Sequence, residues 1–152
     1  MEVYNFKVAL DHDKRIYRNI EILSNQTLED LHDIIFNSFD RYDEHLYSFY
    51  LTKRSVKNRH SRYKAPEYTD PTYFEDDFNA EFGMQKYNAS EVHIGALGLK
   101  VKDKLYYLFD FGDCWWHEIT LLSVYQVDNN KDYPKIVKKS GKSPGQYPDD
   151  DC

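Results

Sequence analysis

The chain has 152 residues, of which 20 are basic and 26 acidic, for a formal net charge of −6. That length fits one domain, and about 70% of the unfolded chain's surface can be buried without a staple. With 41% hydrophobic and 30% charged residues the chain is neither collagen-like nor disordered. Its acidic balance excludes a general phosphate-backbone binder unless the charges are segregated.

Residues 3–10 alternate Tyr4, Phe6, Val8 and Leu10 with Asn5, Lys7 and Ala9, the pattern of a half-buried strand. A polar turn at 11–14 leads to a second strand over about 15–23, carrying Ile16, Ile20 and Ile22, so the chain opens on a hairpin. Thr27 is a good N-cap, with Asp30 three residues on as a short form of the capping box. Leu28, Leu31, Ile35 and Phe39 then mark one helical stripe, which includes His32 and is edged by Ile34 and Phe36. A polar corner from Asp40 to Glu44 precedes a third strand, His45 to Leu51.

Residues 53–90 lose apolar periodicity. Positions 53–64, KRSVKNRHSRYK, hold six Lys or Arg and no acid, and the stretch from Glu67 to Glu81 holds six Asp or Glu and no base. This predicts a long loop or irregular charged insertion, with room for a short helix, cut first by protease between Lys53 and Glu81. A short helix from Ser90 is weakened by Gly95 and Gly98. Residues 105–111 and 115–126 read as strands joined by a hairpin corner at Gly112-Asp113, and the chain is polar from Asp128 onward. The elements add up to one α+β domain over 1–152. An antiparallel or mixed sheet of about five or more strands packs on one main helix, and its hairpin-helix-strand opening is β-grasp-like by analogy.

The densest chemistry lies in FDFGDCWWHEI, positions 109–119. His32, His45, Asp110, Asp113 and His117 are the candidate metal ligands, and His117, Asp110 and Asp113 the candidate catalytic groups. The alternative reading is structural: Asp and Gly are turn residues, and an Asp110–His117 hydrogen bond would lock the corner if the hairpin loop has an even number of residues. A bulge would flip the phase and place His117 beside Phe109 and Phe111 instead. The spacing matches no H-E-x-x-H motif, and no phosphate-binding Gly-rich loop or G-x-S-x-G elbow is present. Cys114 and His117 stand three apart on a strand and point to opposite faces, a poor nucleophile-base pair.

The basic stretch offers Lys53, Arg54, Lys57, Arg59 and Arg62 to nucleic-acid phosphates, interleaved with His60 and Tyr63. Its alternative is a solvated loop that pairs with its acidic neighbour. Two cysteines, Cys114 and Cys152, make neither a disulfide scaffold nor a four-cysteine zinc site. No signal-peptide layout and no span of 18 apolar residues occur, so a cytoplasmic monomer with no membrane partner is expected.

Four stretches carry a family resemblance: YNFKVAL, TLEDLHDIIFNSFDRYDEHLYSF, FDFGDCWWHEI and the terminal YPKIVKKSGKSPGQYP. Together they resemble the plasmid pRiA4b ORF-3-like family, also labelled insertion-element passenger or resolvase-like proteins. Phe109 stands where Tyr is more usual, and Trp116 adds a second indole. The resemblance implies an α+β fold and a bacterial plasmid or mobile-element setting. The resolvase-like label gains no support, because no serine sits in an Arg-rich recombinase context. The leading expectation is a non-enzymatic accessory or interaction domain without a cofactor, partnered by a protein or by mobile-element nucleic acid. The alternatives are a hydrolase or nuclease-like enzyme using a divalent metal, and nucleic-acid binding through 53–64.

Overall fold

A computed structural model describes residues 1–75 and 86–147. In β1 (Glu2–Leu10) the alternation holds, and Phe6, Val8 and Leu10 are fully buried on one face. A turn leads to β2 (Asp13–Leu23), whose Ile20 and Ile22 join them. Helix α1 (Leu28–Ser38) starts with the expected capping box: Thr27 Oγ1 accepts from the Asp30 N–H at 3.1 Å, and the Thr27 N–H donates to Asp30 Oδ2 at 2.9 Å. Its stripe of Leu28, Leu31 and Ile35, continued by Phe39, packs on that sheet face.

The chain continues through β3 (Tyr47–Tyr50), α2 (Arg59–Arg62), β4 (Glu67–Thr69), β5 (Lys86–Asn88), β6 (Lys104–Phe109), β7 (Trp115–Gln126) and β8 (Lys135–Ser140). Among the described residues eight strands form one sheet in the order β5-β4-β3-β6-β7-β1-β2-β8. Only the β4–β5 pair among them is parallel, so the sheet is mixed. Strands dominate, beside an 11-residue α1 and a 4-residue α2. The hairpin-helix-strand opening is present, but β3 lies beyond β6 and β7 from that hairpin.

Successive residues of β6 divide the core in two. Leu105, Tyr107 and Phe109 face α1, while Tyr106 and Leu108 form a second cluster with Tyr50 and Trp116 on the opposite face. The chain around α2 covers that second cluster with Val56 and Ala65. The described part of the insertion expected at 53–90 holds only short elements: α2, β4, a 3-10 turn at Pro71–Glu75 and β5. Periodicity missed them because the anchor is one arginine. The Arg62 guanidinium lies 3.7 Å from the Tyr106 ring centre and 5.0 Å from that of Trp116. It donates to Val56 O at 2.7 Å and to both Asp11 carboxylate oxygens at 3.0 and 3.1 Å. Positions 76–85, including the rest of the acidic stretch, lie outside the described residues.

Two further expectations change. Ser90 opens no helix; two 3-10 turns, Ala89–Glu91 and Ile94–Leu97, replace it, and the second ends at Gly98 with φ +68°. Past Asp128 the chain adds β8, whose lysines suit an exposed sheet edge and so read as a polar tail.

Candidate functional site

The β6–β7 connection sets the phase of everything near it. Phe109 pairs with Trp115, so the loop is residues 110–114, an odd number. Asp110 (φ +63°) and Cys114 (φ +55°) take left-handed backbone conformations, and Asp110 Oδ1 accepts the N–H groups of Gly112 and Asp113 at 3.0 and 3.2 Å. The turn therefore rests on an Asp side chain closing on its own backbone. In this phase His117 pairs with Tyr107 and shares a face with Tyr107, Phe109 and Trp115. The Asp110–His117 bond conditional on an even loop does not form.

His117 is fully buried, with Arg41 Nη2 at 2.8 Å from its Nε2. Arginine only donates, so Nε2 is the bare acceptor and the ring proton sits on Nδ1, which donates to Tyr107 O at 3.2 Å. Burial, followed by the adjacent Arg41 charge, holds the His117 pKa well below the ordinary histidine value. Arg41 is itself 7% exposed, among the rings of Phe39, Phe109 and Trp115. Burial lowers its pKa to about 10, so it stays charged at neutral pH.

Asp110 Oδ2 lies 3.5 Å from His45 Nε2, whose N–H donates to Tyr147 Oη at 2.8 Å; Tyr147 in turn donates to Asp43 Oδ2 at 2.8 Å. Gln146 accepts from the Tyr42 and Asp43 N–H groups and donates to Asp43 O, while Trp115 Nε1 donates to Gln146 O. The C-terminal G-Q-Y stretch is thereby clamped to the 41–45 corner.

His32 belongs to a different group. Its Nδ1 lies 2.6 Å from Tyr107 Oη and its Nε2 2.9 Å from Glu44 Oε1, and its ring stacks on Tyr47 at 3.7 Å. Burial, together with neighbouring carboxylates, raises the Asp33 and Glu29 pKa values, whereas the His32 bond lowers that of Glu44.

The five proposed metal ligands do not meet at one point. His117 has both ring nitrogens committed, His45 and Asp110 pair with each other, and Asp113 gives its backbone N–H to the turn. Among the described residues the group of His, Cys, Asp or Glu with mutual ligand spacing is His32, Asp33 and Glu44. Cys114 packs with Trp116 on the second face, across the sheet from His117.

The second face carries the basic stretch. Lys53, Arg54, Lys57, Arg59, His60, Tyr63 and Lys64 are exposed. Lys53, Arg54, Lys57 and Lys64 make no ion pair among the described residues, and Arg59 reaches Asp11 at 3.4 Å. Arg62 leaves the phosphate-binding set: it is 1% exposed and committed to Asp11. A hollow of about 350 Å³ is lined by Arg59, His60, Tyr63, Cys114 and Trp116, with Tyr63 edge-on to Trp116 at 5.7 Å. A second, of about 370 Å³, opens beside Arg54 and Lys64. Across the sheet, residues 28–45 hold six acids and only the buried Arg41 as an Arg or Lys. The acids of 28–45 and the exposed cations of 53–64 thus stand on opposite faces of the sheet.

Sequence reasoning passed over Arg41, Tyr107, Asp33 and Glu44. The one legible signal was a lone arginine in the otherwise acidic Asp40–Glu44 corner.

A family model described as plasmid pRiA4b ORF-3-like protein matches residues 2–152. No curated protein matches the chain. Among solved structures, the crystal structure of a protein of unknown function, MM3350, from Methanosarcina mazei Go1 is similar with a TM-score of 0.73, over 94% of this chain and 71% of that one. At 19% identity this likeness shows the fold alone.

Proposed function

The chain belongs to the plasmid pRiA4b ORF-3-like family, and from that premise we propose a non-catalytic interaction domain whose α2 face binds single-stranded nucleic acid. The carrying observation is that exposed Arg59 lines an indole-floored hollow with exposed Tyr63, that Arg54 and Lys64 line a second hollow, and that Lys53 and Lys57 are exposed on the same stretch. Cations along a groove neutralise phosphates, and an exposed ring offers a face on which a base stacks. The six acids of residues 28–45 lie across the sheet from α2, while Asp11 and Glu118 on its own side are paired with Arg62 and with Lys14 and Lys104. Catalysis is the weaker reading, because His32, His45 and His117 are each held by separate internal partners. In the mobile-element setting implied by the family resemblance, plasmid or transposon DNA is the natural ligand.

The test is fluorescence anisotropy with a labelled single-stranded oligonucleotide of about 12 nucleotides, long enough for one groove-sized site. Reversing Lys53, Arg54, Lys57 and Arg59 to Glu should abolish binding, and Tyr63→Ala should weaken it by about 1–3 kcal/mol, the worth of one stacked base. An acidic peptide partner would lose affinity on charge reversal but ignore Tyr63→Ala. Absence of binding by the unaltered chain at low salt overturns the proposal.

A further inference from the structure

On the acidic face, independently of the α2 reading, we propose that His32, Asp33 and Glu44 bind one divalent first-row transition ion such as Zn2+. Their ligand atoms all lie within 4.8 Å of one another, and Asp33 and Glu44 are exposed. His32 is 2% exposed and its ring is fixed twice, by stacking on Tyr47 at 3.7 Å and by Tyr107 Oη at 2.6 Å from Nδ1. That fixation leaves Nε2 as the nitrogen turned toward the carboxylates. A metal-ligating imidazole is ordinarily oriented by a contact to its other nitrogen, which Tyr107 provides here.

A second observation points to a ligand. Tyr47, stacked on His32, is 2% exposed, and its hydroxyl oxygen is buried without a hydrogen-bond partner among the described residues. A buried phenol left unpaired is costly, and a metal-bound water would supply the missing partner. No lysine or arginine forms an ion pair with Glu29, Asp33 or Glu44 among the described residues, so the carboxylates lack a resident counter-charge. One imidazole nitrogen with carboxylate oxygens suits zinc or manganese better than calcium, which prefers oxygen alone. Ligation through Nε2 requires the other tautomer, so the ring's single proton moves from Nε2 to Nδ1, which faces Tyr107 Oη.

Isothermal titration of the full chain with Zn2+, with Ca2+ as control, tests the site. The expected result is one Zn2+ per chain, a raised melting temperature, and no response to Ca2+. The Asp33→Asn/Glu44→Gln variant changes exposed groups, so its metal-free melting temperature should hold while Zn2+ affinity falls at least about 10-fold. Co2+ loading of the unaltered chain should give a visible ligand-field spectrum that is lost in the double variant. No Zn2+ binding, or unchanged binding in the double variant, overturns the proposal.

Discussion

Arg62→Ala separates a packed α2 segment from a solvated loop. The side chain of Arg62 is 2% exposed and that of Asp11 11%, and they meet through two bonds at 3.0 and 3.1 Å. Removing the guanidinium leaves Asp11 with only the 3.4 Å contact to Arg59, and strands the Val56 carbonyl. Breaking a buried ion pair costs about 3–5 kcal/mol, mainly through the unpaired partner left behind. The lost stacking on Tyr106 and Trp116 belongs within that range, because the contacts are not additive. For a domain of this length, about 3–5 kcal/mol corresponds to a fall of roughly 10 °C in melting temperature. Urea unfolding followed by far-ultraviolet circular dichroism measures it, with Lys57→Ala as the exposed control, expected within about 0.5 kcal/mol. Arg62→Lys should recover little, since an ammonium cannot make the bidentate contact. A loss below about 1 kcal/mol for Arg62→Ala would refute the reasoning and return 53–64 to a loop.

Ile35→Ala should cost about 2–5 kcal/mol in the same assay, as a fully buried residue of the α1 stripe; a loss below about 0.5 kcal/mol would mean that the stripe is not core. His117→Asn should lower stability by about 1–3 kcal/mol, because buried Arg41 loses its acceptor, and should leave Zn2+ affinity unchanged. The depressed His117 pKa also gives the acid limb a sign. The folded ring stays neutral while the unfolded one gains a proton below about pH 6.5, so its stabilisation is present above that pH and lost as pH falls toward the folded value. The slope is up to about 1.4 kcal/mol per pH unit and should flatten in His117→Asn. Burial raises the pKa values of Tyr47, Tyr50 and Tyr107, so the folded phenols stay protonated when the unfolded ones ionise. Stability should therefore fall above about pH 10, with phenolate absorbance appearing together with unfolding.

Elements whose signal is local were legible in the sequence. The alternation of Tyr4, Phe6, Val8 and Leu10 gave β1, and Thr27 with the Leu28–Leu31–Ile35 spacing gave α1 down to its cap. Elements held by distant partners were not. Helix α2 is held by Arg62 reaching back to Asp11, a pairing with no sequence periodicity. The edge strand β8 lacks an apolar face strong enough to stand out. The site divided the same way. His32, His45 and His117 could be nominated by type, but their partners depended on tertiary phase. One residue more or less in the 110–114 turn would turn His117 toward the other face, away from Arg41. His32 falls on the α1 stripe and is buried there; its outward nitrogen and the Glu44 that meets it lie beyond any local pattern.

The salt dependence of oligonucleotide binding tests the account most directly, because segregated charge is what permits an acidic chain to hold a polyanion. If Lys53, Arg54, Lys57, Arg59 and Lys64 each neutralise one phosphate, log affinity should fall with log salt at a slope of about −3.5. Between about 50 and 200 mM salt that is a loss of roughly 100-fold. A slope shallower than about −1, or no binding at the lowest salt, would contradict the assignment of the α2 face to nucleic acid.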